Sequence, residues 1–205
     1  MSHTLGVRQA QKQKTRQALL DAALELLEDQ SLSSLGLREV TRAVGVTPTA
    51  FYRHFDSTAD LGVALVEEAL GSLHAMITTL LNTTGSNEER LGRTVELIAR
   101  HVRTHPSHVR FIARERHGGV QRVREAIGGQ LARFTEEVAE ALAADPESAG
   151  WSRDDLRMLA WHHVQLMLTT ACVFLETPQE DMDAAVDLTT RQLRLVQLGR
   201  KHWLD

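Results

Sequence analysis

The chain has 205 residues, 42% of them hydrophobic, and a formal net charge of −4. That is enough apolar material for a buried core, in one domain or in a small module on a larger one, and it is not the composition of a basic nucleic-acid coat. Cys172 is the single cysteine, which excludes an internal disulfide and a zinc cluster. The N-terminus shows no apolar signal core. The most apolar long run, Leu156 to Leu175, holds Arg157, His162, His163 and Gln165, which a bilayer would bury at high cost. A buried helix there, no membrane span and a cytoplasmic location are expected.

The charge is uneven. Residues 1–16 carry Arg8, Lys12, Lys14 and Arg16 and no acid. Residues 1–56 hold 7 basic and 6 acidic side chains, net +1, and the remainder holds 16 and 21, net −5. A basic arm before an acidic body suggests that a polyanion meets the N-terminus and avoids the rest.

In chain order the apolar positions recur at three and four, the helical period, and strict alternation is absent, so an all-α fold of about nine helices is expected. Leu19, Ala23, Leu26 and Leu27 predict a first helix over about residues 9–28, and Leu37, Val40 and Val44 a short second one. Leu61, Leu65, Ala69, Leu73, Ile77 and Leu80 predict a long helix shared by both halves and closed near Asn82–Gly85. Ser86-x-x-Glu89 and Ser152-x-x-Asp155 resemble capping boxes. Pro106 and Gly118-Gly119 break helices, and Asp145–Gly150 and Glu176–Pro178 read as loops, with the last helix beginning near residue 179. The expected division is a module over residues 1–56 and a larger body over 57–205.

Between the second and third helices the chain reads Val44-Gly-Val-Thr-Pro-Thr-Ala-Phe-Tyr-Arg-His-Phe55. Gly45 can take the left-handed conformation that ends a helix, Thr47 can cap the next one, and Pro48 suits its first position. Two helices joined by so tight a turn form a helix-turn-helix. Phe51 and Phe55 point to the core with Val40, Val44 and Val46. Pro48, Thr49, Tyr52 and Arg53 form the opposite stripe, suited to base edges and phosphates in a major groove. Thr47 and the helix start can also donate to phosphate. His54 either touches phosphate or packs against the fourth helix.

These residues carry a resemblance. Leu37-Arg-Glu-Val-Thr-Arg-Ala-Val-Gly-Val46 and Phe51-Tyr-Arg-His-Phe55 are similar to the second and third helices of the TetR family of bacterial regulators, and the likeness runs over residues 13–70. It implies double-stranded palindromic operator DNA as partner, a homodimer, and Arg38 among the DNA contacts. Where that family often has a lysine at the start of the fourth helix, this chain has Thr58, which leaves Lys12, Lys14 or Arg53 to supply the charge. Gly6–Arg16, Ser34–Val40 and Arg110-Phe-Ile-Ala-Arg-Glu-Arg116 resemble more narrowly the FabR and DesT repressors of unsaturated fatty-acid synthesis and acyl desaturation. That likeness implies a long-chain acyl-CoA effector.

In the body, Arg110, Arg114, Arg116, Arg122 and Arg124 read either as a solvated helix end paired with Glu115 and Glu125, or as an anion clamp beside an apolar tunnel. The clamp reading puts Phe111, Arg114, Arg116, Phe134 and Trp161 at the ligand. The helix from about 155 to 175 has two apolar stripes. Trp161, Gln165, Leu168 and Cys172 on one of them, with Val186 and Leu193 of the last helix, are expected to form a four-helix dimer contact. No metal site is expected. His101, His105 and His108 lack a completing cysteine or carboxylate, and Pro106 interrupts their helix. No catalytic motif is present and no cofactor is implied. The alternatives left open are a regulator sensing another apolar compound, and a helical carrier or enzyme that binds no DNA.

Overall fold

The computed structural model describes residues 2–81 and 87–204. Nine α-helices are found among them, and no strand. They are α1 (Ser2–Leu26), α2 (Leu37–Val44), α3 (Pro48–Phe51), α4 (Thr58–Leu81), α5 (Asn87–Thr104), α6 (Pro106–Glu115), α7 (Gln121–Ala143), α8 (Arg153–Glu176) and α9 (Met182–Lys201). The first helix starts seven residues before its expected position, because the arm ahead of residue 9 is helical too. The expected close of α4 and the Ser86 cap lie outside the described residues. Ser152 caps α8, its Oγ accepting from the Asp155 backbone N–H at 3.1 Å. Ser57 does the same for α4, accepting from the Asp60 N–H at 3.1 Å and donating to the Asp60 carboxylate. The same Ser-x-x-Asp pattern marks both caps, and only the first was recognised from the sequence.

The chain forms two compact units, Met1–Ala69 with Arg110–Ile127, and Leu70–Val109 with Gly128–Asp205. The expected boundary at residue 56 falls inside the first unit. Helices α4, α6 and α7 each contribute residues to both units.

The first unit is built on Leu19, Leu20, Val40, Phe51, Leu61, Leu65 and Phe111, all buried. Each such side chain contributes about 1.5–3 kcal/mol of transfer free energy. The corner between α6 and α7 belongs here because its polar groups are used on α1 and the loop after it. Arg114 donates to the carbonyls of Leu27 (2.7 Å), Gln30 (2.6 Å) and Glu28 (3.1 Å). These carbonyls belong to the turn that follows α1, and a cation there also suits the helix dipole. Arg110 pairs with Glu28 at 3.1 Å and Arg122 with Asp60 at 2.7 Å. The buried Glu115 accepts the Leu32 N–H at 2.9 Å. Gly62 allows α4 to approach, since a β-carbon there would collide with Leu32 and Val123.

In the second unit α5 packs against both α8 and α9. Val95, Ile98, Ala99, Val102, Phe174, Met182 and Leu193 make its core. Arg200, buried, donates to Ser148 Oγ at 2.6 Å and approaches the Asp145 carboxylate, which also pairs with Arg90 at 3.2 Å. Burial pushes the Asp145 carboxyl up, but the Glu147 N–H and the Arg200 charge together hold it below its ordinary value.

Helix α8 is long and apolar enough to cross a membrane by length and composition. Its stripe of Leu159, His163, Leu166, Thr170 and Phe174 turns inward, and Met158, Trp161 and Val173 stay exposed.

Candidate nucleic-acid interface

The turn between α2 and α3 has the geometry its residues dictate. Gly45 sits at φ 73°, a left-handed conformation that side chains with a β-carbon rarely adopt. Its N–H and that of Val46 return to the carbonyls of Arg42 and Thr41. Thr47 is extended and its Oγ1 accepts the Ala50 N–H at 3.3 Å, with Pro48 at the first helical position. The hydroxyl proton of Thr47 is not used in that bond and is available to an acceptor. At the start of α2, Glu39 reaches back to accept the Gly36 N–H at 2.9 Å.

Phe51 and Phe55 are buried, their rings 5.6 Å apart. Tyr52 stands edge-on to Phe51, which fixes its ring while leaving the residue 58% exposed. Pro48, Thr49 and Arg53 share that exposed surface, as do Thr47 beside them and Arg38 on α2. The helical part of α3 is a single turn, so this surface is short and set rigidly by the two buried rings.

Lys12, Arg16 and Arg53 lie near enough to act on His54. The Arg16 guanidinium lies 5.1 Å from the centroid of the Phe55 ring. Burial, followed by the charges of Lys12, Arg16 and Arg53, holds His54 below its ordinary value. His54 is half-buried, with Nδ1 buried and no hydrogen-bond partner for that atom. Lys12 and Lys14 are exposed on α1. Arg8 and Arg16 were not among the residues expected at DNA. The four-residue spacing of Arg8, Lys12 and Arg16 puts all three on one helix face.

The residues expected at a ligand divide between the two units: Phe111, Arg114 and Arg116 belong to the first, Phe134 and Trp161 to the second. Arg114, expected at a bound anion, is turned onto α1, as described above. Phe134 is buried and stacks on His74 at 5.1 Å, and the His74 Nε2 lies 3.4 Å from Glu137. Trp161 is half exposed, edge-on to His162.

Of the residues expected at a dimer contact, Trp161 is exposed and Gln165, Leu168 and Cys172 are half-buried on one side of α8. The α9 pair is corrected. Leu193 is 1% exposed and lies in the core cluster, with Val186 packed against it. The outward apolar residues of α9 are Leu188, Leu195 and Leu198, on the opposite side of the helix.

Among the described residues no group of three His, Cys, Asp or Glu is arranged to hold a metal. His101, His105 and His108 do come together across the break at Pro106, with ring centroids 4.8 and 5.8 Å apart. His101 and His105 stack nearly face to face, which turns ring faces, not nitrogens, toward each other. Burial and then the neighbouring His105 and His108 push His101 down to about 4.

Residues 19–65 match the family described as bacterial regulatory proteins, tetR family. Similar folds include the fatty-acid degradation regulator FadR from Bacillus halodurans, at 16% identity and a TM-score of 0.69 over 93% of this chain and 96% of that one. A transcriptional regulator FadR from Bacillus subtilis, solved with stearoyl-CoA, matches at 14% identity and 0.68 over 88% and 96%. NalD of Pseudomonas aeruginosa, the secondary repressor of the MexAB-OprM multidrug efflux pump, matches at 22% identity and 0.65 over 89% and 96%.

Proposed function

We propose that this chain, whose residues 19–65 match the tetR-family model, is a homodimeric cytoplasmic repressor, not an enzyme, whose hold on a palindromic operator responds to an apolar effector. The observation that carries the reading is the exposed surface of Thr47, Pro48, Thr49, Tyr52 and Arg53, fixed from behind by the buried Phe51 and Phe55. Hydroxyls and a guanidinium on a rigid turn suit a major groove, and a two-fold protein suits two half-sites. The paired exposed apolar sides of α8 and α9 support the two-fold, since packing them against a second copy completes a four-helix arrangement.

For the effector the reading is a long-chain acyl-CoA, and for the targets genes of fatty-acid desaturation or synthesis. Support comes from the similar fold of regulators that act in fatty-acid metabolism, one of them solved with stearoyl-CoA. An acyl tail contributes about 0.8 kcal/mol per buried methylene, so ten carbons supply roughly 8 kcal/mol before ordering costs. Because Arg114 already holds the end of α1, the phosphates of coenzyme A are not assigned to it.

The deciding experiment is a gel shift on DNA from upstream of the chain's own gene, with palmitoyl- and oleoyl-CoA titrated into the complex. One acyl class should weaken or strengthen the complex more than the other, because a ligand shifts an equilibrium only by its differential affinity. Equal effects, or none, would leave a regulator of another apolar compound. No shift on any upstream fragment would remove the regulatory reading.

A further inference from the structure

Helix α7 passes from the first unit to the second between Ile127 and Gly128. Each of its halves is fastened to its own unit. Before the boundary, Val123 and Ile127 are buried, Arg122 pairs with Asp60 at 2.7 Å, and Arg124 donates to the Gly118 carbonyl at 2.6 Å. After it, Phe134 and Thr135 are buried, Phe134 stacks on His74 at 5.1 Å, and Glu136 pairs with Arg157 at 2.8 Å. Between these anchors stand Gly128 and Gly129, side by side and exposed. Neither the backbone nor the packing requires them. Both are helical and neither has a positive φ. A β-carbon at either position meets no atom within 4 Å, whereas one at Gly62 collides with its neighbours. In a helix interior glycine is about fivefold less favourable than alanine at each position, because it has more backbone freedom to lose and leaves the backbone open to water. The pair therefore makes the middle of α7 the point of least resistance to bending, with firmly held turns on both sides.

We propose that α7 bends at Gly128-Gly129, and that this bend carries the state of the second unit to the helix-turn-helix. The second half of the proposal rests on the DNA-binding reading above. A bend at the pair leaves every anchor in place, since the partners of Arg122, Arg124 and Glu136 each lie in the same unit as the residue they hold. Arg122 holds Asp60 in the first turn of α4, the helix that follows the reading surface. The first half of α7 and the helix-turn-helix therefore move together. Hinges of this kind gather the backbone rotation into a few residues and spare the packed elements beside them. A ligand in the second unit that prefers one setting of the bend changes DNA affinity by its differential affinity for the two settings.

The test is the full-length Gly128→Ala/Gly129→Ala variant. Its first measurement needs no DNA. Spin labels are placed at Arg42→Cys on α2 and Glu140→Cys on α7, both exposed positions, in a Cys172→Ser background. Labelled chain is mixed with excess unlabelled chain, so that only distances within one chain are read. The distance distribution should be narrower in the alanine variant than in the wild type. The thermal midpoint should rise, because the added methyls enter open space and favour the helix. The second measurement is affinity for the upstream duplex. It should shift by at least about fivefold, the lower end of ordinary coupling between sites, although neither glycine belongs to the reading surface. Gly92→Ala, at an open helical glycine inside the second unit, should raise the midpoint and leave both measurements unchanged. Equal widths overturn the proposal, and so do equal affinities. If the wild type binds no upstream fragment, the DNA-binding reading falls, and the widths alone decide whether α7 bends.

Discussion

Helices α3 and α9 each turn one side inward and one outward, but their outward sides are opposites. Behind α3 stand Phe51 and Phe55, and in front stand Thr49, Tyr52 and Arg53. Behind α9 stand Met182 and Leu193, and in front stand Leu188, Leu195 and Leu198. The first surface exposes hydrogen-bonding and charged groups that water already satisfies, so only a partner of matching polarity and charge gains by covering it. The second leaves large apolar groups in water, and any apolar partner gains by covering it. On the proposed reading the same helical amphipathicity serves a nucleic-acid surface in one place and a protein surface in the other, and exposure alone does not distinguish them.

The comparison breaks most forcefully at α9. Leu195→Glu should leave a folded chain and split the dimer, shifting its dissociation constant at least about a hundredfold, because two-fold symmetry buries the unpaired carboxylate twice. Leu193→Glu, two residues away, should instead unfold the chain. Sedimentation and circular dichroism read the difference, and an intact dimer for the folded Leu195 variant would put the interface elsewhere.

At α3 the expected loss is next in size. Tyr52→Ala should cost about 1–3 kcal/mol per half-site in operator binding while leaving the thermal midpoint unchanged, since Tyr52 is outside the core. Titration at fixed salt measures it, and unchanged affinity would make the exposed ring a bystander.

A smaller effect concerns acid. His101 is held neutral by burial, with His105 and His108 beside it. Its folded value of about 4 lies below the ordinary 6.5, so the unfolded chain binds the extra proton first. Its contribution is present above pH 6.5 and lost as the pH falls toward 4, on the order of 3 kcal/mol in all. His101→Leu should flatten the fall in stability between pH 7 and pH 5, and an unchanged slope would mean that the ring is hydrated in solution.

The smallest change is at the turn itself. Thr47→Ala should destabilise the first unit by about 1 kcal/mol through loss of the cap, measurable by denaturant titration. It should weaken DNA binding by more than that if the Thr47 hydroxyl also donates to phosphate.

The helix-turn-helix was legible because its signals are local. Gly45, Thr47 and Pro48 act within one turn of chain, and Phe51 and Phe55 repeat at a helical interval, so no distant residue was needed to place them. The inward and outward stripes of α8 were legible for the same reason. The same-length pattern on α9 misled. Both sides of that helix carry apolar residues, and periodicity cannot say which of two apolar sides a chain buries within itself. Met182, Val186 and Leu193 lie inward because α5 and α8 supply Val95, Ile98, Val102 and Phe174 to meet them.

From local pattern the sequence determined an all-helical chain, a capped turn between two short helices, a cationic arm and a polar reading surface. Each depends on backbone preferences and side-chain spacing within a few residues. Tertiary structure decided where polar side chains are used. Arg114 has the composition of an anion ligand and instead holds the turn after α1, because carbonyls 84 to 87 residues earlier lie within hydrogen-bond reach. Glu115 becomes the acceptor for Leu32, and residues 110–127 join the unit of the first helices. Hydrogen bonds and close packing are short-ranged in space without being short-ranged along the chain, so such partners emerge only once the helices have packed.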